Sequence, residues 1–229
     1  MGYYFMDYWY IVLVLPAIIF SIIAQIKVNS AFNRYKKILS RSGLTGADAA
    51  RRVMELNGVQ GVRIEHVHGK LSDHYDPRTD VIRLSDDVYA GNSVAALGIA
   101  AHEAGHACQH HLGYSAIRVR NAILPVANIG SAAAIPLVLI GFIFNFGILI
   151  NLGIIFFAGV VVFQLVTLPV EINASTRAKQ ALANSGMLSE EELSGAKKVL
   201  HAAAMTYVAA LAVSLMQLVR LLLLARNRD

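Results

Sequence analysis

Charge is scarce in this sequence: Asp, Glu, Lys and Arg make up 15% of 229 residues, against about 25% in a typical soluble domain. With 56% hydrophobic residues, the chain cannot keep its whole surface in water, so an ordinary soluble globule is excluded and much of the surface must face lipid. A single cysteine, Cys108, excludes an intrachain disulfide and gives no sign of an oxidising compartment. The opening MGYYFMDYWY has no Lys or Arg, which argues against a cleaved signal peptide and for an uncleaved anchor. No clustered basic and aromatic pattern points to nucleic acid; the net charge of +5 reads instead as membrane topology and attraction to anionic lipid.

What is present is a set of long apolar runs. The first extends from about Tyr8 to Ile26, close to the ~20 residues that span a bilayer as a helix. Between Asn121 and Val170 there is no charged residue at all, room for two spans folded back at about Phe144 to Asn151. A fourth run covers about Ala202 to Ala225, interrupted by Arg220, which could snorkel toward an interface. Basic residues flank the span ends at Lys27, Arg34, Lys36, Lys37, Arg41, Arg118 and Arg120. The positive-inside rule then places residues 27 to 120 and 171 to 201 in the cytoplasm and both termini outside. Arg226 and Arg228 run against that rule at the tail.

The cytoplasmic stretches carry finer signals. TGADAARRVMELNG predicts a helix capped by Thr45 and stopped at Gly58. VRIEHVHGKLS and DVIRLS, with DPRT between them, predict a small hairpin turned at Pro77. SVAALGIAAHEAGHACQHH predicts a helix capped by Asn92 or Ser93 and ended by Gly113, too short in its apolar part to be a span.

That last helix holds four of the eight histidines. His102 and His106 lie one turn apart on one face, so both imidazoles can grip one small ion, while Glu103 projects about 100° away and can reach a water without ligating. A catalytic zinc keeps three protein ligands and an open position. His110 sits about 12 Å along the helix from His102, too far for a tetrahedral site on an unbroken helix. After two spans the chain returns to the same side, where the first acid is Glu171 in TLPVEINASTRAKQAL, the candidate third ligand; Pro169 suits the first turn of a helix or a break just before one. Cys108 lies off the ligand face and reads as a small packed side chain.

With these residues assembled, the sequence resembles the YugP-like neutral zinc metallopeptidases of bacterial membranes. LSDHYDP, VIRLS, AAHEAGHACQHHLGY, TLPVEINASTRA and AKKVLHAAAMTYVAA look like family blocks in family order. The resemblance implies an integral membrane metallopeptidase with His102 and His106 as ligands and Glu103 as catalytic carboxylate. More distantly the chain is similar to membrane gluzincins of the HtpX and CAAX-prenyl-protease type, whose Glu-x-x-Ala-Asp pattern supplies the third ligand. Glu171 and Ala174 match it, but Ser175 stands where that pattern has Asp. Either Ser175 orients a ligand histidine, or Asp73 or Asp76 does so.

The expectation is a mainly α membrane protein with about four transmembrane helices and a small α+β cytoplasmic zincin-like domain. Its parts are an anchor (1–27), a catalytic part with hairpin and zinc helix (28–120), a transmembrane hairpin (121–170), helices carrying the third ligand (171–201) and a last span (202–229). One Zn²⁺ per chain would be held by His102, His106 and Glu171 for hydrolysis of peptide or protein substrates at the cytoplasmic face of the inner membrane, with Glu103 taking the proton of the attacking water. His74, His201 and Tyr207 are candidates to stabilise the oxyanion. An extended substrate could pair with a free edge near SDHYDP. The rival is a noncatalytic, zinc-stabilised membrane scaffold, which has no need of Glu103. Intramembrane proteolysis and transport fit less well, since the motif lies outside the spans and no span carries an acid.

Overall fold

The computed structural model describes residues 7–69 and 72–226. The aromatic opening at residues 1–6 and Arg228 lie outside the described residues. Four helices are long and apolar enough to cross a membrane: Tyr10–Tyr35, Ser115–Ile143, Gly147–Asn184 and Glu190–Arg226; helices are numbered along the chain, with α1 at Leu15–Tyr35 and a short α3 at Asp86–Tyr89. Only 17–28% of their most apolar windows is buried, so most of those side chains face outward, as lipid-facing residues must. The protein is therefore a mainly α membrane protein, with one three-stranded sheet among the described residues. The chain divides into two compact units, Met1–Gln25 with Arg118–Leu168 and Thr206–Asp229, and Ile26–Ile117 with Pro169–Met205.

Helices α5 (Ser115–Ile143) and α6 (Gly147–Asn184), whose residues 118–143 and 147–168 belong to the first unit, form the hairpin that the uncharged run predicts. The turn is tight: Asn145 adopts a left-handed φ of 61°, and the Phe146 N–H donates to the Gly141 carbonyl at 2.8 Å. Close approach needs small residues, and a Cβ on Gly153 would sit 2.8 Å from the Ala134 carbonyl oxygen. Val138, Ile150 and Ile154 then pack with Leu221 of α7 (Glu190–Arg226). Arg220 is buried and paired. It is 6% exposed and its Nε and Nη2 donate to Asp7 Oδ2 at 2.8 and 2.6 Å, because a paired guanidinium is far less costly in an apolar setting than a solitary one.

The second unit is built around helix α4 (Val94–His111), whose N-cap is Ser93, the side chain accepting from the Ala96 N–H at 3.2 Å. Alanines and glycines face its neighbours, so Ala95, Ala96, Leu97, Ala100, Ala101, Ala104, Ala107 and Cys108 are all essentially buried. Helix α2 (Gly46–Leu56) has the Thr45 cap, completed by a reciprocal bond from Asp48, and packs Ala49, Ala50 and Val53 into the same core. Gly58, at φ +69°, ends the turn that follows.

The sheet differs from the expected simple hairpin. Strand β1 (Arg63–Val67) pairs parallel with β3 (Val81–Ser85), and β2 (His74–Asp76) pairs antiparallel with β3 on its other side. The Pro77 turn does join an antiparallel pair, but its first strand is the short HYD segment. β3 takes the centre because Val81, Ile82 and Leu84 are wholly buried, whereas β1 and β2 are partly exposed and suit edges.

Pro169 neither starts nor breaks a helix. It lies inside α6, which runs unbroken from the hairpin turn to Asn184; the bond lost for want of its N–H is outweighed by 38 residues of otherwise continuous helix. Likewise α7 begins at Glu190, well before the apolar run.

Candidate metal centre

Helix α4 supplies His102, Glu103 and His106, and α6 supplies Glu171. The two helices come close at Gly105, where a Cβ would lie 2.7 Å from the Ala174 carbonyl oxygen. That approach puts Glu171 Oε2 3.2 Å from His102 Nε2 and 3.5 Å from His106 Nε2. The imidazoles meet edge to face with centroids 4.7 Å apart. One donor atom from each of the three residues lies within 4.8 Å of the others. Glu171 is only 2% exposed. Burial alone would push its carboxyl up, but the His102 and His106 imidazoles outweigh it and hold Glu171 well below the usual carboxylate range. Burial opposes a proton on His106, yet Glu171, Glu103 and Gln109 together raise its pKa.

The other ring nitrogens have partners too. His102 Nδ1 meets Ser175 Oγ at 3.1 Å, so Ser175 takes the orienting place. Asp73 instead accepts from the Ser85 N–H and hydroxyl, and Asp76 from Arg78, Thr79 and Arg83. His106 Nδ1 meets Gln109 Oε1 at 3.0 Å. The Gln109 Nε2 amide donates to the Val170 carbonyl at 2.7 Å and to Asn173 Oδ1 at 3.0 Å. Gln109 Oε1 must therefore accept, so His106 keeps a proton on Nδ1: Nε2 pairs with Glu171 when it too is protonated, and in the neutral ring Nε2 is the nitrogen left free to ligate. Two imidazole nitrogens and a buried carboxylate with oriented rings are the donor set and tautomer that zinc takes.

Glu103 is 9% exposed. Its Oε2 accepts the Tyr75 backbone N–H at 3.0 Å, so the outer edge of β2 faces the helix. His74, next on that strand, donates from Nδ1 to the Ser72 carbonyl at 2.7 Å. His201 is exposed on α7, and Tyr207, 38% exposed, belongs to the other unit. His110 and His111 stand apart from the ligand group and join Asp80. Cys108 is fully buried, with burial pushing its thiol up to about 11. Sequence reasoning missed Gln109 and Asn173; the visible signal was Gln109 standing three residues after His106, one helical turn away.

Residues 10–226 match the family described as "Putative neutral zinc metallopeptidase". The chain is similar to "Putative membrane protease YugP" of Bacillus subtilis (strain 168), 48% identical over 218 residues that cover 95% of this chain and 97% of that protein. No solved structure gives a significant match. A family match over nearly the whole chain, on a protein with four candidate spans and a buried His-His-Glu group, makes the chain a member of this neutral zinc metallopeptidase family.

Proposed function

We propose that the protein is a zinc metalloendopeptidase of the His-Glu-x-x-His gluzincin type, hydrolysing peptide bonds of protein substrates at the cytoplasmic face of the inner membrane. One zinc per chain is held by His102, His106 and Glu171. The observation that carries this reading is the convergence of His102 Nε2, His106 Nε2 and Glu171 Oε2, with Glu103 beside them on α4 but bonded elsewhere. Zinc, when bound, supplies Lewis acidity that acidifies water and polarises a carbonyl. Glu103 accepts the proton of the attacking water and returns it to the leaving amine. The Tyr75 N–H keeps the Glu103 carboxylate aimed and off the ligand set. An extended peptide beside that carboxylate would donate to the outward Tyr75 carbonyl of β2, since the Tyr75 N–H is already given to Glu103. His74, on the same strand, is the oxyanion donor we favour; its Nδ1 proton is committed to Ser72, so it donates from Nε2 only as imidazolium.

Support for the topology comes from the basic residues flanking the spans, which put 28–120 and 171–201 inside as the catalytic part, with 1–27, 121–170 and 202–229 as membrane parts. The test is zinc content and proteolysis of an unstructured protein by full-length protein in detergent. Glu171→Gln should lose stoichiometric zinc. Glu103→Gln should keep zinc and fold, since a glutamine oxygen still accepts from Tyr75, yet lose at least a hundredfold in rate. Equal cleavage by wild type and Glu103→Gln would reject the proposed mechanism, and zinc bound by both with cleavage by neither would favour the scaffold reading.

A further inference from the structure

The last turn of α4 carries a second cluster that the proposed reaction does not use. His110 and His111 are neighbours in sequence and project about 100° apart, so they converge on nothing by themselves. Asp80, from the turn between β2 and β3, comes to both. His111 Nε2 lies 3.0 Å from each Asp80 carboxylate oxygen. The Tyr75 hydroxyl donates to Asp80 Oδ1 at 2.7 Å and meets His110 Nδ1 at 2.9 Å. Asp80 is held there by its backbone: it adopts φ +54°, uncommon for a residue with a Cβ, and its carbonyl accepts the Arg63 N–H at 3.2 Å. Backbone strain at this turn thus aims a carboxylate at two imidazoles.

One donor atom each from Asp80, His110 and His111 lies within 4.8 Å of the other two. Bonds of about 2.0–2.2 Å to a common ion need a modest contraction, which rotation of the partly exposed His111 can supply. Two imidazoles and a carboxylate suit a borderline transition ion, whereas Ca²⁺ and Mg²⁺ want oxygen shells. The C-terminal end of α4 adds the negative pole of the helix.

We propose that Asp80, His110 and His111 form a second, zinc-class transition-metal site, separate from the His102, His106 and Glu171 group. An ion there ties the β2–β3 turn to the end of α4 and stiffens the strand whose Tyr75 N–H holds Glu103. The cluster of His66, His68 and Asp86 is the competitor; it is more open, with the His68 side chain 92% exposed.

The experiment uses full-length protein in detergent, stripped with a chelator and titrated with Zn²⁺, and with Co²⁺ for its absorption spectrum. Wild type should take up two equivalents and melt higher with the second. His111→Ala and Asp80→Asn should each lose one equivalent and the added stabilisation while keeping the other. Glu171→Gln should lose the equivalent that these variants keep. Three results overturn the proposal: saturation of wild type at one equivalent that Glu171→Gln loses, two equivalents retained by both His111→Ala and Asp80→Asn, or a second equivalent lost from His66→Ala. One equivalent lost only from His111→Ala and Asp80→Asn would uphold this site and reject the His102, His106 and Glu171 reading.

Discussion

The proton on His106 is placed by residues that cannot do otherwise. Arg177 Nε only donates, and it donates to Asn173 Oδ1 at 2.9 Å; Gln109 Nε2 also gives to that oxygen, which leaves Gln109 Oε1 to accept from His106. Gln109→Leu should therefore lower zinc affinity about 10- to 100-fold, the usual cost of losing an orienting partner, as read by competition with a chelator. Gln109→Glu should instead lower the melting temperature, because a buried carboxylate would face two acceptors, the Val170 carbonyl and Asn173 Oδ1, an error costing about 1–3 kcal/mol or more. The pair of His106 and Glu171 also sets a sign. Glu171 is depressed, so its contribution to the metal-free protein is fully present above its unfolded value of about 4.3 and fades as pH falls through its folded value. His106 is raised, so its contribution is fully present below its unfolded value of about 6.5 and fades as pH rises through its folded value. The pair thus stabilises the metal-free protein most between about pH 4.5 and 6.5. With chelator, the stability difference between wild type and Glu171→Gln should grow on going from pH 8 to pH 6. With zinc in excess it should shrink, since the proton competes for His106. The same slope in both series would reject the shared site.

At the scale of elements, the site depends on how closely α4 and α6 approach. Gly98 and Gly105 are both interior glycines of α4, and alanine at either gains about 1 kcal/mol in helix propensity. They differ in what a Cβ meets. At Gly98 it finds Ala196 Cβ at 3.5 Å, ordinary contact; at Gly105 it finds the Ala174 backbone oxygen at 2.7 Å, which cannot yield without moving α6. Gly98→Ala should be neutral or stabilising with zinc retained. Gly105→Ala should push Glu171 away and weaken zinc binding at least tenfold, with helix content by circular dichroism unchanged. The helices themselves were legible from caps at Thr45 and Ser93 and from the small-residue face of α4. The pairing of β1 was not, because a parallel partner across an intervening strand leaves no turn signal, and Pro169 misled because a long span tolerates one missing hydrogen bond.

At the scale of the whole molecule, stability rests partly on a contact that joins the two ends of the chain. Asp7 and Arg220 are 213 positions apart and both largely buried, their side chains 15% and 7% exposed. Breaking a buried pair by removing one member costs about 3–5 kcal/mol, so Arg220→Leu should sharply lower thermal stability in detergent. Replacing both, as in Asp7→Asn with Arg220→Leu, should recover most of the loss. A double variant no more stable than the single one would show that Arg220 acts through other partners. Nothing local in the sequence marks Asp7 as the counter-charge; it is one acid near an anchor until the last helix packs against it.

By itself the sequence determined the membrane class and the four apolar runs, which are written in composition and run length, and the helix carrying His102, Glu103 and His106, which is written in short-range spacing; the family was legible as a resemblance in collinear blocks. It also singled out Glu171, first by counting spans and then by a partial match, with Ala174, to a ligand pattern that Ser175 departs from. Tertiary structure alone decided that Glu171 Oε2 meets both imidazoles, that Ser175 and Gln109 set the ring orientations, that Tyr75 holds Glu103 and that Asp80 joins His110 and His111. These contacts join residues as much as 73 positions apart. Their geometry depends on how closely backbones approach at residues such as Gly105, and a linear pattern does not encode that distance.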